Sequence, residues 1–211
     1  MNEGERNMHA NGFVSTLDYI ATWVARMALL NLLWFLYSLL GLLVAGVFPA
    51  TIATLGVVRK WLMGEQDIKI WKTFRKIYKQ EFTSVNGLGW VLTGIGGVLF
   101  LNYKAIEAFG RELSFIVPFA FYLLLFLYMV IVIWSFPLKA HYHAGIFQHI
   151  KNALVIGITK IHISIATIIA LFAVAYLSLE IPTVILFFIF SLSALIWFWF
   201  SFRIFIALDK E

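Results

Sequence analysis

Residues 31–61 read NLLWFLYSLLGLLVAGVFPATIATLGVVRKW. The left half belongs to an apolar run, residues 28–48, interrupted only by Asn31 and Ser38. That is close to the ~20 residues needed to cross a bilayer core of about 30 Å. Residues 49–58 add ten mostly apolar positions before Arg59 and Lys60, and as a helix they would reach only about 15 Å, too short for a second crossing. Pro49 lacks an N–H and disfavours helical geometry at Phe48. The expectation is a span ending at Phe48 and a short tucked-in helix with Pro49 in its first turn. Arg59, Lys60 and Trp61 then mark its emergence at an interface.

Outward from this stretch the chain keeps the same character. Of 211 residues, 62% are hydrophobic and 13% charged, more apolar surface than a soluble domain of this length could hide. Four further segments, 87–103, 115–136, 153–179 and 182–207, reach or approach spanning length. The fold class expected is an all-α polytopic membrane bundle, one domain over residues 1–211, with about five transmembrane helices plus interfacial amphipathic helices. Residues 1–12, MNEGERNMHANG, lack a basic n-region and read as no cleaved signal peptide. Residues 13–27 carry Phe13, Leu17, Ile20, Val24 and Met27 at helical spacing beside Asp18 and Arg26, and read as an amphipathic lead-in to the first span. Gly89, Thr93 and Gly97, and more weakly Gly41 and Ala45, form small-residue faces suited to close helix approach.

The connector of residues 49–86 is basic: Arg59, Lys60, Lys69, Lys72, Arg75, Lys76 and Lys79 face only Glu65, Asp67 and Glu81. Placing it in the cytoplasm puts twelve of sixteen Lys/Arg inside. The positive-inside rule then gives a bacterial plasma-membrane protein with its N-terminus outside and its C-terminus cytoplasmic. Trp61, Trp71, Trp90, Trp134, Trp197 and Trp199 fall near the inner ends of the spans, as an aromatic belt would. Within the connector, residues 68–82 (IKIWKTFRKIYKQEF) put Ile70, Trp71, Phe74, Ile77, Tyr78 and Phe82 on one side and Lys69, Lys72, Lys76 and Lys79 on the other. This is the pattern of a helix lying in the membrane surface, or of a docking face for an acidic partner.

Catalytic chemistry finds little support. The chain has no cysteine, which excludes disulfides, thiolate nucleophiles and Cys-ligated metals. No Ser-His-Asp order, paired carboxylates, H-E-x-x-H motif or phosphate-binding glycine loop is present; GLGWVLTGIGG at residues 87–97 lies in a span with no preceding strand. His141, His143 and His149 cluster after Pro137, but an H-x-H pair diverges on a helix and lacks a neighbouring carboxylate. A solvated interfacial loop is the simpler reading. Lys160 and His162 read as snorkelling residues in the first turns of residues 153–179. Neither cofactor nor metal nor nucleic acid is expected, and the basic charge is assigned to lipid headgroups and orientation.

Asn31-Leu32-Leu33-Trp34, Gly41, Gly46, Pro49-Ala50-Thr51, residues 59–61, Gly64, Phe74, Tyr78, Phe82, Asn86 and Gly89 together resemble the YesL-like family of bacterial integral membrane proteins, a domain of unknown function. The similarity continues less distinctly through Phe136-Pro137 and Lys151-Asn152-Ala153; the histidines after Pro137 depart from the family pattern. Because family members accompany carbohydrate-utilisation and sugar ABC-importer components in Gram-positive bacteria, the resemblance implies a non-enzymatic accessory role in oligosaccharide import, with importer permeases as partners. The residues singled out for a partner contact or structural joint are Asn31, Trp34, Pro49, Thr51, Arg59, Lys60, Trp61, Lys72, Lys76, Lys79 and Asn86. The alternatives are a stand-alone small-solute transporter or channel, in which Asn31 would touch solute, and a membrane sensor or lipid-binding scaffold.

Overall fold

The computed structural model describes residues 3–109 and 114–209, with side chains from residue 15 onward. Its described residues form α1 (Glu3–Leu40), α2 (Val47–Leu62), α3 (Ile70–Phe109), α4 (Ile116–His141), α5 (Ile146–Thr159), α6 (Ile161–Glu180), α7 (Pro182–Phe187) and α8 (Ile189–Leu208). Among the described residues, five helical stretches are long and apolar enough to cross a membrane: Ser15–Leu40, Ile70–Phe109, Ile116–His141, Ile161–Glu180 and Ile189–Leu208. Their outward faces expose Leu36, Leu40, Val98, Leu101, Ile116, Ile169 and Phe172. In water that surface would be costly, and in lipid it costs nothing.

The first break lies earlier than Pro49. α1 runs without interruption from the lead-in residues to Leu40, so residues 13–27 belong to the same rod as the span, and a turn occupies residues 41–46. α2 begins at Val47 and is 16 residues long, about 24 Å. Pro49 sits in its first turn, where a missing N–H is harmless. α2 is the best-buried helix of the fold, from Pro49 through Val58 to Trp61.

Contacts fix how the first three helices run. Trp23 meets Trp61 edge to face at 5.4 Å, and Trp34 reaches Thr51, so α1 and α2 are antiparallel. Phe48 packs over Gly89, and Gly56 faces Ile77, so α2 and α3 are antiparallel too. α1 and α3 therefore run in the same sense, with α2 returning between them. Arg26 lies 3.7 Å from Asp67, which brings the early part of α1 to the end where the basic stretch begins. This pairing runs against the expected alternation that sets the N-terminal side opposite the basic connector.

Other boundaries differ for local reasons. Residues 68–82 do not form a separate surface helix: from Ile70 they are the beginning of the 40-residue α3. Ile70, Phe74 and Tyr78 are buried, and the rings of Phe74 and Tyr78 pack on Tyr37, so the aromatic side covers protein rather than lipid. α4 passes through Pro137 to His141. The segment 153–179 is broken at Lys160, where backbone dihedrals of −112° and 43° separate α5 from α6, and 182–207 is broken at Phe188. Of the small-residue face, Gly89 alone is closely packed among Gly89, Thr93 and Gly97; Gly97 faces open space, while Gly96 accepts the Tyr128 ring, whose hydroxyl donates to Leu92 O at 3.1 Å. Gly41 and Ala45 lie in the turn. Trp61 and Trp134 are buried, unlike belt residues, whereas Trp71, Trp90 and Trp199 are exposed.

Candidate functional site

Asn31 and Trp34, one turn apart on α1, meet the break between α7 and α8. A helix start leaves its first N–H groups without partners, and a helix end leaves carbonyls. Asn31 answers both from a different helix: Oδ1 accepts from Phe190 N at 2.9 Å and Ser191 N at 3.4 Å, and Nδ2 donates to Leu186 O at 2.8 Å and Ile185 O at 3.5 Å. Phe190 and Ser191 are the second and third residues of α8, the positions an N-cap oxygen serves. Trp34 stacks on Phe190 with ring centroids 3.4 Å apart. Its Nε1 donates to Thr51 Oγ1 at 3.1 Å, and Thr51 in turn donates to Val47 O at 2.8 Å. The pair thus ties α1 to α2 and to the kinked α7–α8 unit.

The turn of residues 41–46 is the second joint. Leu42 and Leu43 have φ of 54° and 62°, left-handed values that cost L-residues roughly 1–2 kcal/mol each. A Cβ on Gly41 would collide with the Gly46 backbone, and one on Gly46 with the Ser38 carbonyl, so both glycines are required by close approach. Asn86 clamps the turn from α3, donating to Ala45 O at 3.0 Å and to Phe82 O at 2.8 Å. Of six residues named from the sequence, Asn31, Trp34 and Thr51 therefore belong to the first joint, Gly46 and Asn86 to the second, and Pro49 lies in the first turn of α2, which links them.

Arg59 and Lys60 have other surroundings. They line a cleft of about 390 Å³ among α2, α3 and α4, together with Ile52, Gly56, Thr73, Lys76, Ile77, Gln80, Glu81, Lys139, Ala140 and His143. Lys139 is only 8% exposed and meets Glu81 at 2.9 Å; His143, 90% exposed, lies 3.9 Å from the other Glu81 oxygen. Lys60 pairs with Glu65 at 2.6 Å. The Arg59 Nη1 contact to Ala140 O is long, 3.4 Å, and its buried Nε has no partner among the described residues. The Lys139–Glu81 pair escaped the sequence reading, which counted Lys139 only as an orientation charge. Its signal was a lysine two residues after the Phe136-Pro137 that closes an uncharged span.

Trp61 is not at a surface; its ring is buried on Trp23. Lys72, Lys76 and Lys79 are exposed with Arg75 and line a shallow groove beside Trp71, itself 48% exposed. The three histidines do not converge. His141 ends α4 with its Nε2 3.3 Å from Asp209 Oδ2, His143 turns to Glu81, and His149 is buried, so only His143 matches a solvated loop. Burial, followed by the positive charge of Lys139, holds His149 below the usual imidazole range. Tyr142 donates to Asp209 Oδ1 at 2.7 Å. Burial and that carboxylate push its phenol up to about 12, while hydrogen bonds from Tyr142 and then His141 hold Asp209 below the ordinary carboxylate value. This contact fastens the end of α8 to the end of α4. Lys160 marks the α5–α6 break, and His162 is exposed on the first turn of α6.

Asn31, Trp34, Gly46, Pro49, Thr51 and Asn86, though not their partners on α7 and α8, fall inside the part of the chain, residues 27–103, that matches the family described as "Protein of unknown function, DUF624". Three Bacillus subtilis proteins, each named only as uncharacterised, are similar over longer stretches. YteU is 31% identical over 185 residues, 88% of this chain and 83% of YteU. YesV is 38% identical over 134 residues, 64% of each chain, and YesL is 29% identical over 202 residues, 96% of this chain and 93% of YesL. No solved structure matches. With its five apolar helices and this coverage, the chain belongs to the YesL-like DUF624 family and is a multi-pass membrane protein.

Proposed function

We propose that this protein is a non-enzymatic accessory subunit of an oligosaccharide ABC importer, docking on the importer's permeases through the first half of α3. The observation that carries the reading is the groove of Trp71, Lys72, Arg75, Lys76 and Lys79. Its four cations are exposed and, among the described residues, enter no ion pair. The helix beneath them is anchored by Phe74 and Tyr78, so the charges are presented on a rigid rod and not on a loop. An acidic permease surface would meet them without first ordering a flexible segment. The proposed orientation places this groove in the cytoplasm by the positive-inside rule. The end of α8 is expected on that side as well, which agrees with the Asp209–Tyr142 contact to the end of α4.

A solute-conducting role is less well supported, because both donors and both acceptor sites of Asn31 are already used by backbone groups. The docking reading is tested by affinity purification in mild detergent from cells growing on the imported sugar. Importer permeases should copurify, and Lys72→Glu with Lys76→Glu and Lys79→Glu should reduce their recovery. Isolation of the wild-type chain free of any permease would overturn the proposal.

A further inference from the structure

The cleft between α2, α3 and α4 is separate from that groove, shares only Lys76 with it, and has an unbalanced charge. Arg59, Lys60, Lys76 and Lys139 line it against one carboxylate, Glu81. Glu81 is already engaged, by Lys139 at 2.9 Å and by Ser84 Oγ at 2.7 Å. Glu65 answers Lys60 from outside the lining. Arg59 and Lys76 are left without a carboxylate among the described residues. Arg59 is the telling group: its Nε is buried with no partner, and its Nη1 makes one long contact to a carbonyl. Arg59 is half-buried, and a buried guanidinium nitrogen without a partner is costly, while the planar fork suits an anion offering two oxygens.

We propose that this cleft binds a phosphate group, held by Arg59 through its fork and by Lys60 and Lys76 as point charges, with Thr73 and Gln80 available as neutral donors. Lys139, neutralised by Glu81, shapes the wall and holds the carboxylate away from the incoming anion. At about 390 Å³ the space lies within the roughly 300–1,000 Å³ of small-ligand sites, enough for a phosphate and part of the group that bears it. The chemistry is common to two sources, a phospholipid headgroup entering from the bilayer and a soluble phosphate ester, and the test separates them.

Full-length protein purified in a neutral maltoside detergent would be studied by native mass spectrometry with phosphatidylglycerol or phosphatidylcholine, and by thermal melting with inorganic phosphate or an equal ionic strength of chloride. For the lipid source, phosphatidylglycerol is retained in preference to phosphatidylcholine. Arg59→Gln should weaken that retention about tenfold or more, as expected for a lost charge-assisted bond. For the soluble source, phosphate raises the melting temperature of the wild type beyond chloride, and Arg59→Gln abolishes the difference. Lys60→Gln, at the rim, repeats the loss in milder form and decides the matter if Arg59→Gln fails to fold. Lys72→Gln and Lys79→Gln, outside the cleft, should leave binding intact, which distinguishes this site from the docking groove. Binding of both probes by Arg59→Gln and Lys60→Gln at wild-type strength, or failure of both arms, with no preference for phosphatidylglycerol and a phosphate effect no greater than that of chloride, would overturn the proposal.

Discussion

Replacing Asn31 with leucine keeps the side-chain bulk and removes every hydrogen bond that bridges α7 to α8. Two of the four contacts are short, 2.8 Å to Leu186 O and 2.9 Å from Phe190 N; the other two, at 3.5 and 3.4 Å, add little. Asn31 is fully buried and its two short bonds are part-buried, so the freed carbonyl and N–H are poorly served by water. Each unpaired buried group costs about 1–3 kcal/mol, giving about 2–6 kcal/mol for the pair. Hydrogen bonds between membrane helices average nearer 0.6 kcal/mol, which sets a floor of about 1 kcal/mol. A loss of about 3 kcal/mol is the expected value, more than a hundredfold in the folding equilibrium. Asn102→Leu is the control, because Asn102 is exposed and its amide only donates to Val98 O within its own helix; it should change stability by less than about 0.5 kcal/mol. Reversible unfolding in mixed micelles measures both, and hydrogen exchange at residues 188–192 shows where the loss falls. If Asn31→Leu matched Asn102→Leu and left exchange at Phe190 unchanged, the bridging role would be refuted.

Three further outcomes are expected. Phe74→Ala should destabilise by about 3–5 kcal/mol, as for a large ring removed from a packed core, while Trp71→Ala should cost under about 1 kcal/mol; equal effects would mean that the aromatic side of α3 faces lipid after all. Because His149 titrates below its ordinary value of 6.5, the unfolded chain binds the extra proton first. Stability should therefore fall as pH drops below about 6.5 toward the folded pKa, and His149→Gln should flatten that part of the wild-type profile; parallel profiles would refute it. In a chain without cysteine, single cysteines can replace Asp18, Lys79 and Lys104. Lys79 and Lys104 are 25 residues apart on one helix, about 37 Å, so an impermeant maleimide should reach them from opposite sides. Asp18→Cys should be labelled from the Lys79 side, and labelling from the Lys104 side would restore the simple alternation of crossings.

Composition and run length made the spans legible, since five long, mostly apolar stretches admit few other structures. Span ends were harder, because they are decided by groups far away in the chain. Pro49 looked like the break, yet the turn lies at residues 41–46, where Gly41 and Gly46 permit contacts that nothing in an apolar run announces. Phe188 interrupts α7 and α8 without a proline or glycine beside it, and the reason is Asn31, which supplies the missing partners from another helix. The amphipathic period of residues 68–82 was read correctly as a period and incorrectly as to what covers it: a buried aromatic side can face lipid or Tyr37, and periodicity does not tell them apart. The cationic cleft was half visible. Arg59 and Lys60 stood out, whereas Glu81, Lys139 and His143 come together only when α4 is laid against α3.

The distance along the chain between Asn31 and its partners bears on how the protein is made. The turn, the Trp34–Thr51 bond and the Asn86 clamp all close within residues 31–89, so the first three helices can lock together soon after they leave the ribosome. Asn31 must wait for Leu186, 155 residues later, which at 5–20 residues per second is roughly 8–30 s of synthesis. Throughout that interval an amide with four unmet hydrogen bonds sits in or beside the bilayer. A nascent chain that stalls before α8 leaves this amide unpaired, and completion of α8 is the step that satisfies it.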